Sequence, residues 1–485
     1  MTVLEELTAS GKTGLLIGGD WQPSSDGETI EVLDPSTAEP IASVASGSVD
    51  DATAAIDAAA DALGGWSASS PRERSEVLRR AFEIMISRAD ELAELIVLEM
   101  GKARGEAKAE VTYAAEFFRW YSGEAVRNAG SLLTAPGGDK RIIAIHQPVG
   151  VAILITPWNF PAAMATRKIG PAIAAGTTMV LKPASDTPLT ALAIGDILAE
   201  AGLPAGVLNV VPSSRSSKVV GAMLADDRVR KLSFTGSTEV GRVLLEQAAA
   251  RIVKCSMELG GNAPFLVFGD ADIDAAVEGA MIAKMRNGGQ SCIAANRFYV
   301  HSSVAKEFSD KLSKAMAATR VGPGLEPGVD LGPLINRSAQ EDMVGVVETS
   351  TGSGATVLTG GNAPDRAGFF FEPTVLGDVA ADSPVLSQEI FGPIAPVVAF
   401  DSEDDAVRLA NDTIHGLASY LYTGNLSRAL RVAEAIEAGM VGVNRGLISD
   451  PAAPFGGVKQ SGLGREGGHE GMAEFLETKY IAADW

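Results

Sequence analysis

The stretch Asn287-Gly288-Gly289-Gln290-Ser291-Cys292-Ile293-Ala294-Ala295-Asn296-Arg297 sets one thiol among small and polar residues that let a substrate and backbone N–H groups come close. The chain has two cysteines, and the other, Cys255, follows residues that read as a strand, Ile252, Val253 and Lys254. Cys292 is therefore the candidate nucleophile. The thiolate is the attacking form, and a free cysteine titrates near ~8.5 unless a positive neighbour or a helix N-terminus lowers it. Arg286 and Arg297 flank the stretch and would be that charge. The competing reading is a thiol buried as a small hydrophobe, as most lone cysteines are.

Other residue types with chemistry stand at turns. Thr156-Pro157-Trp158-Asn159-Phe160-Pro161 follows an apolar run, and its two prolines stiffen the loop. A stiff loop can fix the Asn159 amide against an oxyanion, a contribution of about 3 to 4 kcal/mol where such donors have been removed; the alternative is an Asn that completes a turn. Lys182-Pro183-Ala184-Ser185 puts a cation and a hydroxyl after the next run. Phe234-Thr235-Gly236-Ser237 precedes a helical pattern, where Gly236 and Ser237 would let a phosphate approach backbone N–H groups. It is not the G-x-G-x-x-G fingerprint. Glu258, beside Gly260-Gly261, is placed to act as a base through water, or else is a solvated surface carboxylate. Glu389 stands before Ile390-Phe391-Gly392-Pro393. His146, His301, His415 and His469 show no ligand spacing, so no metal site is expected.

The elements that must position these residues are of α/β type. Leu15 to Ile17 and Thr29 to Leu33 read as strands between Gly, Asp, Ser and Pro turns. From Asp50, with Asp50 or Asp51 as cap, helical sequence runs to about Asn128, and Gly101 ends one helix within it. Arg141 to His146 is one arm of a hairpin. Strands are then expected at Val151 to Ile155, Thr177 to Leu181, Val207 to Val211 and Lys231 to Phe234, with helices between them. Repeated βαβ units imply a parallel sheet with covered faces. A second α/β series starts near Pro264, with Phe265 to Phe268, a helix from Ile273 to about Asn287, Phe298 to Val300, Phe369 to Phe371, Val397 to Phe400 and a helix Arg428 to Ala438.

A chain of 485 residues suggests two or three lobes, since domains usually hold roughly 100 to 200 residues. A net charge of -21 argues against a nucleic-acid partner, which needs clustered Lys and Arg. No stretch approaches the ~20 apolar residues needed to span a bilayer, and Met1 to Lys12 lacks a basic region followed by an apolar run. With two cysteines in no spacing pattern, a soluble protein of the cytoplasm is expected.

Together the pieces resemble the aldehyde dehydrogenase superfamily over nearly the whole chain: PWNFP at 157 to 161, KPAS at 182 to 185, FTGS at 234 to 237, MELGG at 257 to 261, GQSC at 289 to 292, EIFGP at 389 to 393 and PFGG at 454 to 457. The resemblance implies an enzyme in which the Cys292 thiolate adds to an aldehyde, the Asn159 amide and the Cys292 N–H hold the oxyanion, hydride passes to a nicotinamide, and Glu258 activates water to release the acid from a thioester. It also implies a dinucleotide lined by Thr156, Pro157, Trp158, Asn159, Lys182, Pro183, Ala184, Ser185, Gly236, Ser237, Leu259, Glu389 and Phe391. Members that prefer NAD often carry Glu where this chain has Ser185. A neutral Ser beside Lys182 removes that repulsion, so NADP is expected, with NAD the weaker alternative.

Within the superfamily, TPWNFPAAMATRKIGPAIAAG, KMRNGGQSC, GLIS at 446 to 449 and PFGGVKQSGLGREG are most similar to the succinate-semialdehyde dehydrogenase subfamily. That likeness places Arg167, Arg286 and Ser449 on the substrate's distal carboxylate, to which guanidinium groups bind through paired donors. A structural ion pair is the alternative for each arginine. Arg445 and Ala294 depart from the pattern; Ala294 removes the second cysteine with which relatives can pair the nucleophile. Glutarate semialdehyde is the nearest rival substrate, and a cofactor-independent thiol esterase the rival of another class. The implied architecture is two Rossmann-like α/β lobes and a small β oligomerisation arm: residues 1–128 with 149–260 and 460–473 for the cofactor, 261–459 for catalysis, and 129–148 with 474–485 for the arm. A homodimer or homotetramer is expected.

Overall fold

Strand Val151–Ile155 is buried at every position, as a strand covered on both faces must be. In the computed structural model, which describes residues 3–484, it lies inside an eight-stranded sheet. Met1 and Thr2 of the stretch read for a leader, and Trp485 of the expected arm, lie outside the described residues. Five strands of this sheet are parallel, in the order Leu208–Val210, Thr178–Lys182, Val151–Ile155, Val229–Thr235, Lys254–Glu258. The chain steps outward from Val151–Ile155 through two strands, then returns to its other side with Val229–Thr235. Strand order thus reverses there, and the crevice beyond the carboxyl ends of that pair receives ligands in such sheets. Thr156 to Phe160 and Gly236 emerge at that point.

A seven-stranded sheet runs Thr356–Thr359, Thr374–Gly377, Ile394–Phe400, Ala295–His301, Ala263–Val267, Ala418–Tyr422, Met440–Val443, all parallel except the first pair. A third sheet joins Leu476–Ala483, Arg141–Pro148 and Ser131–Thr134 antiparallel. No helix of the described residues is long and apolar enough to cross a membrane.

The strands expected in the first sheet are present within a residue or two of their expected ends. The long helical region is not one run. It divides into Val49–Ala68, Pro71–Ser87, Ala89–Met100 and Arg104–Glu124. The first cap is Ser48 rather than Asp50 or Asp51; Asp51 completes its capping box, and Ser70 with Glu73 forms a second box beside Pro71. Gly101, at φ 92°, does end its helix. Phe369 to Phe371 is not a strand. It is buried irregular chain, tied down by Phe369 N–H to the Pro35 carbonyl and Leu334 N–H to the Phe369 carbonyl. The last long helix is Leu426–Ala435, shorter at its end than expected.

Candidate active site

Helix Ile273–Met285 runs into a tight turn, Arg286–Gly289, in which Asn287, Gly288 and Gly289 all have left-handed backbone, at φ 54°, 62° and 77°. The turn reverses the chain so that Cys292 faces the crevice. Gly289 cannot be larger, because a Cβ there would lie 2.1 Å from the Gly392 carbonyl oxygen. Cys292 is half-buried, and burial pushes its thiol up to about 12, with the Glu389 and Glu258 carboxylates adding to the rise. The cation that opposes this is Arg167. The expectation from the flanking arginines therefore needs correcting. Arg297 is fully buried and donates to the carbonyls of Asn262, Leu409 and Ala410, stapling backbone together, while Arg286 donates to Ser449.

Asn159 is buried at the end of the stiff loop, and its Nδ2 donates to the Gln290 carbonyl at 3.0 Å. A carboxamide has two N–H donors, so one bond orients the group and leaves a second donor beside the thiol. Glu258 is the last residue of strand Lys254–Glu258 and is 2% exposed, so it is not a solvated surface carboxylate. Among the described residues neither of its oxygens has a hydrogen-bond partner. Burial raises its pKa well above the carboxylate range, helped by the nearby Glu466, while Arg167, Lys168 and Arg465 oppose the shift. Gly456 leaves the room this carboxylate occupies, since a Cβ there would meet Oε1 at 2.9 Å.

Opposite lies a cationic cradle. Arg167 projects from helix Pro161–Ala175, packs on the Phe455 ring at 4.2 Å and lies 2.5 Å from Glu466 Oε2 through Nε. Arg286 packs on Phe160 at 4.8 Å, donates to Ser449 Oγ at 3.3 Å, and among the described residues has no carboxylate within ion-pair distance. Arg286 also packs on the Tyr113 ring at 5.6 Å, and the Arg167 and Arg286 charges oppose the rise that burial gives the Tyr113 phenol. Arg445 is exposed and folds back onto its own loop through the Leu447 carbonyl, away from the cradle.

Toward the other side, Trp158 and Phe391 meet edge to face at 5.5 Å, and Ser237 caps helix Thr238–Ala249. Glu389 Oε1 accepts from Gly261 N–H at 3.1 Å, and burial pushes this carboxyl up to about 7. Thr235 Oγ1 is buried without a partner.

One cavity of about 270 Å3 gathers Cys292, Glu258, Asn159, Pro157, Trp158, Gly236, Ser237, Leu259, Glu389, Phe391, Arg167, Arg286 and Ser449. Thr156, Lys182, Pro183, Ala184 and Ser185 do not line it. They lie along the same sheet edge, where Ile155 and Lys182 are in register. Lys182 is buried, which lowers its ammonium to about 8, and Ser185 donates to the Ser213 carbonyl at 3.0 Å. Tyr113, Phe160, Arg286 and Ser449 also line a neighbouring pocket of about 660 Å3, and Trp158, Glu389 and Phe391 line another of about 590 Å3.

Sequence reasoning missed Tyr113, Lys168 and Glu466. Tyr113 sits on a helix whose period reads as core, with Phe117 one turn on at 5.0 Å. Lys168 follows Arg167 directly, and its Nζ reaches Glu466 Oε1 at 2.5 Å and Ser233 Oγ at 2.9 Å. A basic pair entirely inside a helix that is otherwise apolar was the available signal.

The profile of the aldehyde dehydrogenase family matches residues 21–481. A succinate-semialdehyde dehydrogenase of Paenarthrobacter nicotinovorans is 56% identical, over 91% of this chain and 98% of its own. A glutarate-semialdehyde dehydrogenase of Pseudomonas putida is 51% identical, over 96% of each chain. The crystal structure of an NADP-dependent enzyme of E. coli superposes with a TM-score of 0.96 at 49% identity, over 98% of each chain. With a thiol, a buried carboxylate and an amide donor in one cavity, and a family match over most of its length, the chain belongs to the aldehyde dehydrogenase family.

Proposed function

We propose that this enzyme oxidises succinate semialdehyde to succinate with NADP. The observation that carries the substrate reading is Arg286, which among the described residues has no carboxylate within ion-pair distance, meets the charge of Glu106 only at longer range, lines the same cavity as Cys292 and holds Ser449 at 3.3 Å. A guanidinium that is not paired with a carboxylate can take a substrate carboxylate through two parallel N–H donors. Cys292, once deprotonated, adds to the aldehyde carbon. The second N–H of Asn159 and the Cys292 N–H stabilise the oxyanion, and Cys292 then holds the acyl group as a thioester. Glu258 takes the proton of the water that attacks it. The dinucleotide, when bound, supplies the acceptor for the aldehyde hydrogen.

The residues present fit that dinucleotide. The Gly236-Ser237 helix start offers N–H groups to a phosphate, Thr235 Oγ1 lacks a partner, and Lys182 places a buried cation at the neighbouring strand end. The side chain at 185 is neutral, and the similarity to an NADP-dependent enzyme supports the same preference. The eight-, seven- and three-stranded sheets support a division into cofactor, catalytic and arm regions. Exposed Leu132, Leu133 and Tyr480 on the three-stranded sheet support a dimer or tetramer built through it. We place the enzyme in the cytoplasm, where its two free thiols stay reduced.

The test is initial-rate reduction of NADP and of NAD with succinic semialdehyde and butyraldehyde in parallel. Preference for the acidic aldehyde with NADP is expected. Equal use of butyraldehyde would remove the carboxylate cradle, and a preference for NAD would remove the reading of Ser185. Glutarate semialdehyde is the second reading, favoured by the Pseudomonas putida relative. One methylene separates the two by only about 1 to 3 kcal/mol, so the ratio of kcat/KM values decides it.

A further inference from the structure

The Asn159 loop and the nucleophile loop are joined by a closed ring of hydrogen bonds. Asn287 Nδ2 donates to the Asn159 carbonyl at 2.9 Å and to the Gln290 carbonyl at 3.2 Å, and Asn159 Nδ2 donates to that same Gln290 carbonyl at 3.0 Å. Behind the ring, Lys102 Nζ donates to the Asn159 carbonyl at 2.8 Å, so that oxygen has two donors and cannot swing. Asn287 is 2% exposed, and its own N–H is held by Glu106 Oε1 at 2.7 Å.

An asparagine in this place has two possible reasons. Its backbone is left-handed, at φ 54°, and asparagine tolerates that region better than other residues with a Cβ. Were that the whole reason, glycine would serve equally well, as it does at the next two positions, Gly288 and Gly289. The side chain instead spans the two loops whose relative placement decides whether an amide donor meets an oxyanion on Cys292. The geometry points to Asn287 as a positioning residue: through the carbonyls of Asn159 and Gln290 it fixes where the Asn159 carboxamide stands relative to the thiol. This inference rests on the proposed role of Asn159 as oxyanion donor.

Asn287→Gly keeps the left-handed turn and removes only the bridge. Steady-state kinetics of the full-length enzyme with succinic semialdehyde and NADP should show kcat reduced about 10- to 100-fold, the scale on which small misplacements act, with both KM values little changed. Asn287→Asp, which keeps the shape and removes the donors, should behave alike. The double variant with Asn159→Ala should be no slower than Asn159→Ala alone, because Asn287 acts through that amide. The rate of Cys292 alkylation by iodoacetamide and the melting temperature should stay near those of the parent enzyme. Full kcat in Asn287→Gly overturns the inference, since the residue then serves only its backbone. An additive loss in the double variant, an altered alkylation rate, or failure of both variants to fold equally overturns it, in favour of a general role in the loop. Normal kcat in Asn159→Ala alone would instead remove the oxyanion reading itself.

Discussion

Arg167 and Glu466 face each other at 2.5 Å, Nε to Oε2, with both side chains shielded from solvent. Lys168 meets the other oxygen of the same carboxylate. Glu466 thus compensates two buried cations, and Arg167 has most of its charge answered before any substrate arrives. Arg286 lines the same cavity, has no carboxylate within ion-pair distance among the described residues and meets the Glu106 charge only at longer range, so under the proposed function it is the stronger anchor for an acidic aldehyde.

Arg286→Ala should therefore lower kcat/KM for succinic semialdehyde about 10- to 100-fold, the usual worth of a hydrogen bond to a charged group, chiefly through KM. Butyraldehyde should be almost unaffected. Parallel kinetics with the two aldehydes check this, and equal losses would make Arg286 a structural residue.

Glu466→Gln removes a negative neighbour that raises Glu258 and frees Arg167 and Lys168 to lower it. Both changes move the Glu258 pKa down, so the acid limb of the kcat profile should shift to lower pH. Breaking a buried ion pair also costs about 3 to 5 kcal/mol, so the melting temperature should fall. An unmoved acid limb would show that Glu258 does not govern it.

Burial pushes the Cys292 thiol up to about 12, so in the free enzyme the neutral form is expected at pH 7. Only the thiolate reacts, so alkylation of Cys292 by neutral iodoacetamide should climb close to tenfold per pH unit from pH 6 to 10. A plateau near pH 7 would instead mean that an unseen cation or a bound ligand activates the sulfur.

Cys292→Ala should abolish oxidation, whereas Glu258→Gln should accumulate the thioester and stall before hydrolysis. Rapid mixing followed by acid quench and intact-mass measurement checks for the acyl adduct. Sustained turnover by either variant would contradict the role given to it.

Ser185→Glu places a carboxylate on the strand edge beside Lys182. Like charges brought together across an interface cost several kcal/mol, so kcat/KM for NADP should fall at least about tenfold while that for NAD holds or rises. Unchanged cofactor preference would move the specificity elsewhere along that edge.

Much of this site was legible because its residues sit in short runs at strand ends. Asn159, Lys182, Gly236 and Glu258 each follow or close a strand whose apolar run marks it, and the parallel sheet brings those ends to one edge. Arg297 misled because closeness in sequence was read as closeness in space. It lies on strand Ala295–His301, which leads away from the thiol, and its guanidinium is consumed by three carbonyls. Arg167 was placed in the cavity, but its partner was not foreseen, since Glu466 lies far along the chain and nothing local to either residue links them. Tyr113 was hidden for a different reason: a cavity-facing aromatic on an amphipathic helix has the same spacing as a core one.

The strand Gly462–Leu463 pairs with the strand that bears Glu258, and Ser449, Phe455 and Glu466 come from the same late part of the chain. During synthesis the N-terminal portions emerge and fold first. A ribosome-bound chain that has already exposed Cys292 therefore carries a thiol without its base held in place, its cation paired or its cavity closed. Turnover therefore requires residues as far along the chain as Glu466, and a fragment that stops before them has no assembled site in which to trap an acyl group.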